Sequence, residues 1–134
     1  MKERRVLIVD DEAPARQRLA RLVDELPGYC VCGEASNGEQ ALQESDQTHP
    51  DIVLMDVRMP GMDGIAAASH LSRQVTPPAL IFCTAYDEYA LDAFRVEAAD
   101  YLVKPVRTTA LTNALARARR TNRLQQETLT PETS

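Results

Sequence analysis

Asp10 and Asp11 directly follow the apolar run Val6–Val9, and Asp56 directly follows Ile52–Met55. Thr84-Ala85 close the run Ala79–Cys83, and Lys104-Pro105 close Tyr101–Val103. If these runs are parallel strands, the polar positions fall at their carboxyl ends, where open α/β sheets bind ligands at the point of strand-order reversal. Three carboxylates, a hydroxyl and an amine then converge on one end of a sheet. Carboxylates this crowded repel one another and tend to retain a proton unless a cation sits among them. A cation therefore belongs to the site. Oxygen-only donors, few of them from the protein, suit octahedral, water-retaining Mg²⁺ better than zinc or copper. An Asp-Asp pair after a strand says little by itself, because acids often cap a following helix. The ordered combination of Asp-Asp, Asp, Thr and Lys-Pro is far more specific.

The elements that position these residues follow from the spacing of the apolar runs. Short runs at Val6–Val9, Tyr29–Val31, Ile52–Met55, Ala79–Cys83 and Tyr101–Val103 alternate with stretches of helical period, which reads as βα units and a parallel sheet. Runs apolar at every position, such as Val6-Leu7-Ile8-Val9, suit strands covered on both faces. Ala15, Leu19, Leu22, Val23 and Leu26 form one helical stripe that opens near Pro14 and stops at Pro27-Gly28. Further helices are expected after Asn37-Gly38 with Ala41 and Leu42 inward, near Gly64, after Asp87, and from Thr108 as N-cap with Leu111, Ala114, Leu115 and Ala118 inward. The expected fold is α/β: a doubly wound, five-stranded parallel sheet with five helices, flavodoxin-like, in strand order 2-1-3-4-5. The periodicity fades from about Arg120, so residues 1–120 read as one domain and 121–134 as a frayed helix end running into a linker.

A chain of 134 residues, 44% hydrophobic, is long enough to bury a core without a metal or disulfide staple. No apolar run approaches a membrane span and no signal peptide is evident, so a cytoplasmic protein is expected. Three cysteines, Cys30, Cys32 and Cys83, lack zinc-like spacing and read as buried small apolar residues. The net charge of −5 argues against nucleic-acid binding by this segment. The arginines at 117, 119, 120 and 123 suit a solvated helix end.

Val6-Leu7-Ile8-Val9-Asp10-Asp11-Glu12, the segment from Asp51 to Gly64, and Tyr101-Leu102-Val103-Lys104-Pro105 resemble the signature blocks of response-regulator receiver domains. The resemblance runs from about Arg5 to Arg120, and Cys83 to Phe94 resembles the receivers of LytTR-class transcription factors. It implies that Asp56 accepts a phosphoryl group from a sensor histidine kinase. Asp11 and Asp56 would ligate Mg²⁺ directly, Asp10 mainly through water, and the Arg58 backbone carbonyl would complete the protein ligands. Phosphoryl transfer asks the protein for positioning and for positive charge on the equatorial oxygens. Lys104, the Thr84 hydroxyl and backbone N–H groups near Ala85 would share that task with the metal, while the carboxylate nucleophile needs no base. Pro105 resembles the family's cis-proline, and Thr84 with Tyr101 resembles its switch pair.

The implied protein is a phosphorylation-dependent regulator rather than an enzyme, with a transcriptional output through a LytTR DNA-binding effector; a single-domain receiver acting by protein contact is the alternative. An aspartyl phosphatase would carry a second acid two residues past its nucleophile, where this chain has Arg58. A dinucleotide-binding domain would need a glycine-rich loop after the first strand. The helix after Asp87 has more apolar positions than one inward stripe uses. Tyr89, Leu91, Asp92 and Arg95 are therefore the expected surface of a homodimer formed through the fourth helix and fifth strand.

Overall fold

A computed structural model describes residues 3–85 and 98–129 of the chain. Five strands, β1 (Arg4–Val9), β2 (Tyr29–Ala35), β3 (Ile52–Met55), β4 (Ala79–Thr84) and β5 (Asp100–Val103), pair in parallel in the order β2-β1-β3-β4-β5. The helices in the described residues are α1 (Ala13–Asp24), α2 (Gly38–Thr48), α3 (Gly64–Ser72) and α4 (Thr108–Leu129). The helix expected after Asp87, with Tyr89, Leu91, Asp92 and Arg95, lies outside the described residues. Among the described residues, no helix is long and apolar enough to cross a membrane.

The all-apolar strands bury both faces because successive side chains point to opposite sides. Val6, Ile8, Ile52, Leu54, Ile81 and Cys83 pack with Leu19 and Val23 of α1 and with Leu111, Ala114, Leu115 and Ala118 of α4. Leu7, Val9, Val53, Met55, Leu80 and Phe82 pack on the other side with Ala41 of α2 and Ala67, Ala68 and Leu71 of α3. Each fully buried Leu, Ile or Phe contributes roughly 1.5–3 kcal/mol by leaving water. Burial rigidifies the strands, and their carboxyl ends inherit that rigidity.

Local signals set the helix boundaries. Asn37 accepts from Gln40 N at 2.9 Å, while Gln40 Oε1 receives Ser36 N at 2.9 Å, a reciprocal cap that opens α2. Asp63 accepts from Ala66 N at 2.8 Å and opens α3 next to the site. Pro14 sits in the first turn of α1, and Gly28, at φ +92°, turns the chain beyond its end.

Three boundaries differ from expectation. β2 extends to Ala35 rather than Val31, with a register shift that pairs Val6 with Val31 but Leu7 with Gly33. Gly33 and exposed Glu34 break the apolar run, yet the backbone still pairs with β1 because an edge strand needs only one covered face. Thr108 is the first helical residue and not the cap, since Leu111 N donates to Arg107 O at 2.9 Å. α4 runs past Arg120 to Leu129, carried by Arg, Leu, Gln and Glu residues of high helix propensity after the inward stripe has ended. On that extension Asn122 is buried and donates through Nδ2 to Asp51 O at 2.9 Å.

Candidate functional site

Parallel hydrogen bonding continues one residue past the apolar runs, and this places the acids. Asp10 N donates to Ala35 O at 3.0 Å, and Asp56 N to Val9 O at 3.0 Å. Lys104 N donates to Thr84 O at 2.9 Å. The backbones of Asp10, Asp56 and Lys104 are thus part of the sheet's hydrogen-bonded edge, and their side chains meet beyond it.

Asp10 is fully buried, Asp56 nearly so and Asp11 exposed, and one carboxylate oxygen from each lies within 4.8 Å of the others. The Lys104 ammonium bridges two of them: Nζ donates to Asp56 Oδ2 at 2.9 Å and lies 2.7 Å from Asp10 Oδ2. Glu12 Oε1 stands at 3.9 Å on the solvent side. Burial disfavours the Lys104 charge, but hydrogen bonds and charge from Asp10 and Asp56 outweigh it and hold its pKa above the ordinary Lys value of 10.5. The ammonium is therefore a fixed feature of the site at neutral pH.

Three carboxylates against one ammonium leave the cluster anionic. Asp10 Oδ1 accepts from Glu12 N at 2.9 Å, and its buried Oδ2 faces the Lys104 ammonium at 2.7 Å. Three crowded carboxylates with a net negative charge, an all-oxygen donor set, fit a hard divalent cation of the Mg²⁺ type.

The surrounding residues shape the cluster. Gly64 N donates to Val57 O at 2.7 Å, and a Cβ at Gly64 would lie 1.9 Å from Asp56 O, so only glycine fits. Arg58, exposed, lines an open hollow beside Asp11 with Met59, Pro60, Gly61 and Asp63; Gly61 takes φ +73° there. Thr84 is buried and Ala85 exposed at the end of β4. The Lys104-Pro105 peptide is cis. Tyr101 is half-buried, its ring stacked on Phe82 with centroids 5.8 Å apart and planes 14° apart. Burial pushes the Cys83 thiol up to about 12, with the Asp56 and Asp10 charges adding to this and Lys104 opposing it. Cys83 is inert packing beneath the site.

The structure thus brings together Asp10, Asp11, Asp56 and Lys104, with Thr84, Ala85, Arg58 and Pro105 around them and Tyr101, on β5, three residues before Lys104. Sequence reasoning did not single out Glu12, the close packing of Gly64 on Asp56, or two arginines of α1. Arg16 Nη1 donates to Asp10 O and Arg18 Nη2 to Val106 O, both at 2.7 Å. A charged residue on an exposed helical turn carries no sequence mark of the loop it reaches.

Residues 6–116 match the family described as the response regulator receiver domain. The chain is 59% identical over 126 residues to the positive alginate biosynthesis regulatory protein of Pseudomonas aeruginosa, covering 93% of this chain and 51% of that protein. It is 40% identical over 124 residues to the sensory transduction protein LytT of Bacillus cereus, covering 92% of this chain and 50% of that one. The chain spans about half the length of these curated relatives. Among solved structures, the signal receiver domain of the putative response regulator NarL from Mycobacterium tuberculosis superposes with a TM-score of 0.80 at 31% identity. That match covers 89% of this chain and 98% of the other. The response regulatory domain of mrkE from Klebsiella pneumoniae gives 0.78 at 29% identity over 90% of this chain and 98% of its own.

Proposed function

The chain belongs to the response regulator receiver domain family of two-component systems, and from that premise we propose that it is a Mg²⁺-dependent switch phosphorylated on Asp56. The observation that carries this reading is the Lys104 ammonium held between Asp10 and Asp56 at the carboxyl end of the sheet. An Asp56 oxygen attacks the phosphorus of a phosphohistidine on a sensor histidine kinase. The O–P bond forms as the P–N bond breaks, and the imidazole leaves with the electron pair, giving an acyl phosphate on Asp56. Lys104 meets one equatorial oxygen of the phosphoryl group, and the Thr84 hydroxyl with the backbone at Ala85 meets another. Asp11 and Asp56 would hold Mg²⁺ directly, Asp10 mainly through water and the Arg58 carbonyl alongside; when bound, it supplies the charge that offsets phosphate and carboxylates together.

Chemistry becomes signal through Thr84 and Tyr101. Movement of the hydroxyl toward the phosphate lets the aromatic ring turn inward, changing the surface of β5 and its neighbouring helices. A further helix after Asp87, fourth in chain order, and a phosphorylation-strengthened homodimer through that helix and β5 belong to the same reading. Tyr89, Leu91, Asp92 and Arg95 supply that helix's outward positions in the sequence, and Val103 on β5 is 51% exposed. Relatives about twice as long, one of them named as a positive regulator of alginate biosynthesis, support a transcriptional output. The chain would reach it through residues 121–134 and a LytTR effector that alone touches DNA. The protein acts in the cytoplasm as a phosphoacceptor, its catalysis limited to its own phosphorylation and slow dephosphorylation.

Intact-mass analysis after incubation with acetyl phosphate and Mg²⁺ tests the core of this reading. Wild type gains one phosphoryl group and Asp56→Asn gains none; full labelling of Asp56→Asn, or wild-type labelling undiminished by excess chelator, overturns it.

A further inference from the structure

Helix α1 reaches both sides of the charged cluster through two arginines, Arg16 and Arg18, two residues apart in its first half. Arg16 Nη1 donates to the Asp10 carbonyl at 2.7 Å, and its Nε meets Glu34 Oε1 at 3.2 Å, so it holds the end of β1. Arg18 Nη2 donates to the Val106 carbonyl at 2.7 Å, a contact between residues 88 apart in sequence. Val106 is buried, two residues beyond Lys104, and follows the cis Lys104-Pro105 peptide.

That stretch needs a tie from outside. Lys104 N is anchored to Thr84 O, and the turn into α4 is closed by Leu111 N on Arg107 O, both at 2.9 Å. Pro105, between these anchors, has no N–H to contribute. The Arg18 guanidinium supplies a bond from an ionised donor, about twice as strong as a neutral one. It sits at an apolar hollow with Ala15, Leu19, Pro105 and Val106, which partly shields it from water.

We infer that Arg18 is a positioning residue for Lys104: by fixing the Val106 carbonyl it sets the path of the loop that delivers the ammonium between Asp10 and Asp56. The consequence for phosphoryl transfer rests on the phosphoacceptor reading above, whereas the consequence for Lys104 itself does not. Small displacements of a charge-stabilising group cost large factors in rate. Arg18 touches neither the carboxylates nor the metal donors, so its loss slows transfer without weakening Mg²⁺ binding. Arg16, which holds Asp10, behaves in the opposite way.

The test uses the full chain with a small phosphodonor, which needs no docking surface. At saturating acetyl phosphate and Mg²⁺, Arg18→Ala is expected to lower the labelling rate constant roughly tenfold, Arg18→Lys to restore part of it, and Mg²⁺ affinity to stay at the wild-type value. In a Lys104→Ala background, Arg18→Ala should cost nothing further. A second readout is independent of phosphorylation. The chain has two lysines, Lys2 and Lys104, so acylation of Lys104 can be referenced to Lys2 by peptide mapping, and the ratio should rise several-fold in Arg18→Ala. An unchanged acylation ratio, or an equal rate loss in both backgrounds, overturns the inference. If wild type itself takes no phosphoryl group, the phosphoacceptor reading falls and the acylation ratio still decides the role of Arg18.

Discussion

Lys104 Nζ donates to Asp56 Oδ2 at 2.9 Å across 48 residues of sequence, so the charge on the phosphoacceptor candidate is partly neutralised before any metal or phosphate arrives. Asp56→Asn keeps the side-chain shape but removes both the nucleophile and one of three mutually repelling charges. The variant should take no label from acetyl phosphate while its thermal midpoint stays level or rises. Intact mass and differential scanning calorimetry check the two halves.

Mg²⁺ should stabilise the fold by mass action, because the unfolded chain does not gather Asp10, Asp11 and Asp56. At tenfold excess over its dissociation constant, Mg²⁺ adds about 1.4 kcal/mol, or about 5 °C in midpoint for a domain of this size. Asp11→Asn removes an exposed donor without disturbing buried packing, so it should abolish most of that rise while leaving the metal-free midpoint nearly unchanged. An undiminished Mg²⁺ shift in this variant would exclude Asp11 as a ligand.

Gly64→Ala asks for a methyl group where Asp56 O stands 1.9 Å away. The loop after β3 must move, and with it the peptide of Asp56. Overpacking costs roughly 1–3 kcal/mol, and backbone displacement puts this case at the upper end. Denaturant unfolding should show that loss, and the labelling rate should fall with it; a variant of wild-type stability would mean that the start of α3 yields easily.

Buried Cys83, its thiol pushed up to about 12, makes stability depend on alkaline pH. Above the ordinary thiol range the unfolded chain loses this proton while the folded chain keeps it. The folded state then binds more protons, so stability falls as pH rises from about 9 toward 12, by about 1.4 kcal/mol per pH unit from this group. Unfolding titrations of Cys83→Ala should lack that component, and native Cys83 should resist alkylation at a pH where partly exposed Cys30 and Cys32 react.

The legible residues were those whose position follows from a strand end. Asp10, Asp56 and Lys104 each close an apolar run, and in a parallel sheet such ends converge whatever the loops do. β2 past Val31 was illegible because Gly33 and Glu34 carry no apolar signal on an edge strand. The extension of α4 was hidden for a related reason: beyond Ala118 the helix no longer presents an inward stripe, so only propensity marks it. Arg16, Arg18 and Gly64 act on backbone carbonyls outside their own helical turn, and Arg18 on one 88 residues away, contacts that periodicity cannot reveal.

The remaining prediction concerns β5, an edge strand of the sheet, on which Val103 is 51% exposed and Asp100 pairs with Arg117 of α4. An exposed β-branched residue on an edge strand suits a self-complementary contact across a two-fold axis. Tyr101 lies two residues earlier on the same strand, so a change in its packing against Phe82 would be felt at Val103. Beryllofluoride, standing in for the phosphoryl group on Asp56, should therefore shift the chain from monomer toward dimer in sedimentation velocity. Val103→Glu places like charges opposite each other at the axis and should abolish that shift while leaving the labelling rate with acetyl phosphate unchanged. A chain that stays monomeric with beryllofluoride, or dimerises regardless of Val103→Glu, would exclude β5 as the switched surface.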